Sequence, residues 1–138
     1  TKRLPAGTVI VCTRATVGAL AIATVPMTTN QGFKNIIPND KHDSDFIYFL
    51  MSQNKKALIR AAGGSTFAEV SKADFEKLTF RVPLIDEQRA IAAVLICTDT
   101  AFEKLESKLA ALRQEKSALM QQLLTGKRRV KITEREAA

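Results

Sequence analysis

The chain has 138 residues, enough for one domain or for one domain with an appendage, and a composition of 46% hydrophobic and 25% charged residues marks it as globular. Its longest apolar run, residues 17–25, is broken by Gly18 and Thr24 and is far too short for a membrane span; the chain carries no secretory signal and no lipidation motif. The net charge of +7 is uneven: residues 1–85 carry 11 basic and 6 acidic groups, residues 86–125 carry 5 and 6, and residues 126–138 carry 5 and 2, which points to a polyanion partner for the two ends.

Chemistry of the usual enzymatic kinds is not in evidence. Cys12 and Cys97 lie far apart, and the single histidine, His42, sits in a polar stretch, so a structural zinc site is excluded and the cysteines read as small apolar filler in a reducing compartment. There is no phosphate-binding glycine loop, no HExxH and no GxSxG. No metal, cofactor or catalytic set is expected. The chain begins with Thr1 rather than Met and reads as a fragment or a processed product.

The elements follow in chain order. After the turn chemistry of Leu4-Pro5-Ala6-Gly7, the β-branched run 8–13 predicts a buried strand. A turn at 14–18 and a second strand at 19–24 come next, stopped by Pro26; a short strand at 27–30 is possible, and after the Gln31-Gly32 turn a further strand runs over 33–37 up to Pro38. This is a β-meander. Asp43 or Ser44 is placed to cap a helix over 45–62 with Phe46, Phe49, Leu50, Leu58, Ala61 and Ala62 on its apolar face, ended by Gly63-Gly64. Ser71-Lys72-Ala73-Asp74 has capping-box spacing for one helical turn, and 77–82 alternates as a last strand with Leu78, Phe80 and Val82 inward.

Beyond Pro83 the period becomes helical. Asp86 can cap a helix that runs to Gly126, a span of roughly 58 Å at about 1.5 Å per residue. Ile91, Leu95, Thr98, Phe102, Leu105, Leu109, Leu112, Lys116, Leu119 and Leu123 are spaced alternately by four and three, a heptad seam in which only Thr98 and Lys116 are polar. A globule of some 85 residues, with a radius of gyration near 13 Å, is too small to cover such a helix, so the seam awaits a partner. The expected architecture is α+β: a small β-rich domain with a few helices over 1–85, one long coiled-coil helix over 86–125 and a basic tail over 126–138.

Several stretches carry a family resemblance. They are Asn30-Gln31-Gly32-Phe33 with Ile37-Pro38, Gly64-Ser65-Thr66 with Val70-Ser71-Lys72, and Leu78-Thr79-Phe80-Arg81-Val82-Pro83-Leu84. Most specific are Asp86-Glu87-Gln88-Arg89-Ala90-Ile91-Ala92 and the run 116–127, which holds Leu123-Leu124-Thr125-Gly126-Lys127. Together they make the whole chain resemble the specificity subunit of type I restriction–modification systems, and more narrowly the distal part of one target-recognition domain plus one long helix. The resemblance implies a non-catalytic, cytoplasmic, bacterial or archaeal protein. It implies that the chain reads half of a bipartite site on double-stranded DNA without a cofactor. It also implies partners: methylase subunits, through them motor–nuclease subunits, and a second helix packed antiparallel on the seam. Adenine methylation and ATP-driven cleavage would belong to those partner subunits.

Within that frame the candidate DNA contacts are Arg14, Asn30, Gln31 and Lys34 on the turns of the meander, together with Ser65, Thr66 and Lys72. Arginine forks onto guanine, and asparagine or glutamine onto adenine, in the major groove. Ser65, Thr66 and Lys72 suit phosphate oxygens, which position a protein without specifying sequence. Asn30 and Gln31 have a second role open to them, organising their own turn through backbone hydrogen bonds. The alternative reading of the whole chain is a protein–protein interaction or dimerisation module whose helix is the functional part, without specific DNA binding by this chain.

Overall fold

The computed structural model describes residues 3–62 and 69–131. Contacts divide the chain into two units, Thr1–Ile96 and Cys97–Ala138.

In the first unit three short antiparallel strands form one sheet: β1 (Val9–Cys12), β2 (Leu20–Ile22) and β3 (Phe33–Ile36), in the order β2-β1-β3. Val9 pairs with Ile22 on one side and Ile36 on the other, and Val11 with Leu20 and Lys34. The β-branched run therefore becomes the central strand, as its burial needs require, and Val9 and Val11 are wholly buried; with β1 between β2 and β3 the sheet is not the expected meander, because the chain crosses from one edge of β1 to the other. The turn from β1 to β2 needs two left-handed residues, Ala15 at φ 56° and Gly18 at φ 82°. A Cβ on Gly18 would also lie 2.7 Å from Lys55 Cγ, so only glycine fits beneath that side chain. The possible strand at 27–30 reduces to a single bridge between Leu4 and Met27, because Pro26 has just interrupted the chain.

The expected single helix over 45–62 is two: α1 (Ser44–Gln53) and α2 (Lys55–Ala61), separated at Asn54. Asn54 Nδ2 donates to the Leu50 carbonyl (2.8 Å), so its side chain competes for the helix's own acceptor and ends α1 there. Asp43 rather than Ser44 caps α1, its Oδ1 accepting from Phe46 N at 2.9 Å. Ser44 Oγ is used elsewhere, donating to the Gly7 carbonyl (2.8 Å) and tying the helix start to the chain ahead of β1. The buried face of α1 is Phe46, Ile47 and Met51, turned from the expected Phe49 and Leu50, which are only half-buried. Ile47, Met51 and Leu58 close over Val9 and Val11 to make the core, flanked by Leu20, Ile22, Ile36 and Phe75.

Ser71 Oγ accepts from Asp74 N (3.1 Å) and opens the short helix α3 (Lys72–Glu76), as the capping-box spacing expects. Residues 77–82 do not form a strand. No strand of the described sheet pairs with them, yet Leu78 and Phe80 still pack against the core, so the alternation is real and the ladder is missing. Val82, expected to point inward, is 38% exposed.

The last element, α4, runs from Ile85 to Leu124, 40 residues or about 60 Å. Asp86 is inside its first turn rather than at its cap, where its charge still favours the helix dipole. Gly126, at φ 72°, is the left-handed stop that the sequence indicates. Gln88 and Ala92 are the buried residues of α4. Gln88 is satisfied by three hydrogen bonds: its Oε1 accepts from Asp43 N (3.0 Å), and its Nε2 donates to the Pro83 carbonyl (2.8 Å) and the Lys41 carbonyl (3.2 Å). One amide thus locks the start of α4 to the loop that caps α1.

Candidate nucleic-acid interface and helix seam

Two turns meet at one end of the sheet. The β1–β2 turn and the Asn30–Gly32 turn leading into β3 border a cleft of about 350 Å³ lined by Cys12, Arg14, Ala15, Thr16, Asn30, Gln31, Gly32 and Phe33. Backbone bonds fix the turns to each other: Thr13 N donates to the Gly32 carbonyl (2.9 Å), and Thr13 Oγ1 donates to the same oxygen at 3.1 Å. Three of the sequence candidates, Arg14, Asn30 and Gln31, are brought together here, all exposed.

Each has a distinct setting. Arg14 Nε lies 3.4 Å from Glu69 Oε2, and the two residues also form a backbone bridge, so the guanidinium is steered over the cleft by an acid the sequence reading did not single out. Half-exposed side chains make this a weak ion pair, of use in orientation more than stability. Asn30 Oδ1 accepts from Gly32 N (2.9 Å), an Asx turn that uses the very oxygen a base contact would need. Gln31, at the tip, is exposed. Cys12 sits at the floor, half-buried, its Sγ donating to the Arg14 carbonyl (3.0 Å) and within 3.3 Å of Thr16 Oγ1. Burial pushes its thiol pKa up, but hydrogen bonds with the Thr16 side chain and with the Arg14 and Thr16 backbone outweigh it, and the net shift is downward.

The other candidates are placed elsewhere. Lys34 lies on β3 opposite Val11. Lys72 opens α3 and pairs loosely with Glu76 (3.7 Å) on an exposed surface. Ser65 and Thr66 lie outside the described residues. No group of histidine, cysteine and acidic residues among the described residues could hold a metal ion, and no described helix is long and apolar enough to cross a membrane.

The seam of α4 is the second feature. Phe102, Leu105, Leu109 and Leu112 are 62%, 65%, 47% and 52% exposed, a contiguous apolar stripe of a kind that a single chain does not leave to water without reason. Ile91 is exposed as well, whereas Leu95 and Leu119 are half-buried.

A small antiparallel sheet whose turns bring Arg14, Asn30 and Gln31 together, and a long helix with an exposed apolar heptad stripe, characterise a small α+β module with a coiled-coil-type helix. Residues 1–114 match the family described as the type I restriction modification DNA specificity domain, and the chain belongs to that family. It is 38% identical over 117 residues to the type I restriction enzyme MjaIX specificity subunit of Methanocaldococcus jannaschii, covering 83% of this chain and 27% of that protein. The chain therefore spans about a quarter of the length of that relative. Among solved structures, a chain from the type I R-M system superposes with a TM-score of 0.74 at 24% identity, over 88% of this chain and 30% of that one. The HsdS subunit of Thermoanaerobacter tengcongensis gives 0.69 at 21% identity, over 88% and 30%. These two likenesses establish the fold, here a small three-stranded sheet with short helices and one long helix.

Proposed function

We propose that the chain is the DNA-reading and coil-forming part of a type I specificity subunit, contributing one half of a bipartite recognition site on double-stranded DNA. The observation that carries this reading is the convergence of Arg14, Asn30 and Gln31 on one exposed cleft at the end of the sheet. Arg14, held by Glu69, is the forked donor for guanine; Gln31, at the turn tip, is the amide for an adenine edge. Asn30, its oxygen spent on Gly32, holds the turn in shape and leaves its amide nitrogen for a backbone or base contact. Lys34 and Lys72, with Ser65 and Thr66, supply phosphate contacts that set the register on the duplex. The chain itself does no chemistry and needs no cofactor. Adenine methylation and ATP-dependent cleavage reside in the methylase and motor–nuclease subunits that it holds, in a bacterial or archaeal cytoplasm. The domain division that fits this role is a recognition part over 1–85, the heptad helix over 86–125 and a basic tail over 126–138.

The exposed seam favours a second role beside the first: pairing through α4, antiparallel, with the second helix of an intact subunit or with another copy of this chain.

Fluorescence anisotropy with duplex DNA, measured on the assembled methylase complex across a salt series, tests the DNA reading. Arg14→Ala and Gln31→Ala are expected to relax sequence preference, each by about 1–3 kcal/mol at one base pair. Thr66→Ala and Lys72→Ala are expected to weaken binding to all sequences alike and to flatten the salt dependence. If Arg14→Ala lowers affinity for every sequence equally, base reading by this cleft is wrong.

A further inference from the structure

Most acidic residues of the first unit serve its helices. Asp43 caps α1 and Asp45 stands in its first turn; Asp74 bonds Ser71 and Lys77 around α3, and Glu76 pairs with Lys72. Glu69 does none of this. It lies outside the helices, against Arg14 of the cleft. Its place is fixed by the backbone rather than by the ion pair. Val70 N donates to the Thr13 carbonyl (3.1 Å), Arg14 and Glu69 form an antiparallel bridge, and Thr13 N donates to the Gly32 carbonyl (2.9 Å). Thr13 and Val70 are wholly buried. The strand end that carries Arg14 is thus bonded both to the Gly32 turn and to the segment of Glu69, and the acid stays beside the cleft even when the guanidinium moves.

Stability does not account for this acid. Side chains 52% and 46% exposed and 3.4 Å apart gain little from each other in water. Recognition chemistry accounts for it better. Glu69 Oε2 faces Nε, the inner nitrogen of Arg14, whereas the two Nη groups at the guanidinium tip form the fork that meets O6 and N7 of guanine. Arg14 laid on a guanine can therefore keep its acid beside it, and the carboxylate then enters the major groove as well. An ionised carboxylate only accepts. It is repelled by phosphates, by O6 and N7 of guanine and by O4 of thymine, and it is met by amino groups, N4 of cytosine or N6 of adenine. An acid in this place selects as much by refusing the wrong base edge as by binding the right one.

We propose that Glu69 is a specificity-determining residue: with Arg14 on a guanine, its carboxylate accepts from the exocyclic amino group of an adjoining base, cytosine N4 or adenine N6. This role rests on the DNA reading of the cleft proposed above. It makes Arg14 and Glu69 one reading unit for two neighbouring bases, a donor fork for the first and an acceptor for the second.

Selection from a duplex DNA library randomised over the recognition site, carried out with the assembled methylase complex, tests this. The wild type is expected to require cytosine or adenine at a position adjoining the guanine whose requirement Arg14→Ala relaxes. Which of the two it takes tells N4 from N6. Glu69→Gln is the critical variant, since the amide keeps the shape of the acid but can turn to donate. It is expected to admit guanine or thymine at the adjoining position, cutting discrimination there about tenfold, while the guanine stays required. Glu69→Asp keeps an acceptor and should retain the amino requirement in weaker form. Both side chains are half-exposed, so neither change leaves a buried group unpaired. If Glu69→Gln leaves every position as in the wild type, or loosens only the guanine that Arg14→Ala also loosens, Glu69 reads no base and merely steers Arg14; the proposal then fails with the DNA reading intact. If neither Arg14→Ala nor Glu69→Gln changes the preference at any position, the DNA reading of the cleft falls with it.

Discussion

Gln88 shows how a residue of the Asp86-Glu87-Gln88-Arg89 stretch acts through structure rather than through a ligand. It is 1% exposed, and its amide holds two carbonyls and one backbone N–H that would otherwise be buried without partners. Gln88→Leu is expected to cost about 3 kcal/mol in chemical unfolding, because orphaned buried backbone groups cost more than the bonds themselves contribute. Gln88→Glu keeps the shape but sets an oxygen against the Pro83 and Lys41 carbonyls, so only the protonated acid fits. Burial and those carbonyls raise the folded-state pKa of such a group above its unfolded value. Its stability is therefore best at acid pH and declines as pH rises through the unfolded carboxyl range, the reverse of most carboxylates. A variant equally stable at pH 5 and pH 8 would contradict that placement. The sequence marks Gln88 only through resemblance. Nothing in its periodicity distinguishes a buried amide from an exposed one, since its partners Lys41 and Asp43 lie more than forty residues away in the chain. Glu69 is invisible in sequence for the same reason: only the bridge between strand end and loop brings it to Arg14.

At the level of elements, local signals located most of the fold. The β-branched run gave β1, proline and glycine gave the turns, and the Ser71 spacing gave the start of α3. What failed was what depends on distant partners. Residues 77–82 have the alternation of a strand and pack Leu78 and Phe80 inward, but strand status needs a neighbour with free backbone groups, which no period-2 pattern encodes. The break at Asn54 was likewise missed, because a helical pattern tolerates one asparagine unless its side chain finds the preceding turn. The cap of α3 is testable. Ser71→Ala is expected to cost about 1 kcal/mol. It would also loosen the local pair, in which hydrogen bonds from Lys77 and then Ser71 hold the Asp74 carboxyl below its ordinary value, while Asp74 holds Lys77 above its own. A depressed acid stabilises above its unfolded pKa and loses that contribution as pH falls through the folded one. A raised lysine stabilises below its unfolded pKa and loses its contribution as pH rises. The pair is thus complete through neutral pH and fails at both extremes. Both groups are exposed, so the effect on global unfolding should be small and best read as amide exchange in residues 72–76.

For the whole molecule, in the antiparallel pairing proposed above, the decisive quantity is the register of α4 against its partner helix. Antiparallel pairing sets each a residue against a d residue. About Ser107, Ile91 faces Leu123, Leu95 faces Leu119, Phe102 faces Leu112 and Leu105 faces Leu109, and the one remaining layer brings Lys116 to Thr98. A slip of one heptad sets Lys116 against an apolar residue. Taking a polar head group into such a layer costs on the order of 1–3 kcal/mol, twice in a symmetric pair. The flanks add Asp99 with Arg113, which attracts, and Glu106 and Lys108 each with its own copy, which repel. Exposed pairs of this kind are worth under about 1 kcal/mol, so the seam sets the register. Lys116→Leu should therefore strengthen pairing while blurring its register, and Lys116→Leu with Thr98→Leu more so. Distance measurements between spin labels at position 97 check this. In the wild-type register the two copies of residue 97 are about 20 residues apart along the axis, roughly 30 Å, and a single narrow distribution near that value is expected. The double variant should broaden it, with new populations about one heptad, or roughly 10 Å, away. A narrow distribution at short distance in the wild type would mean that the helices run parallel.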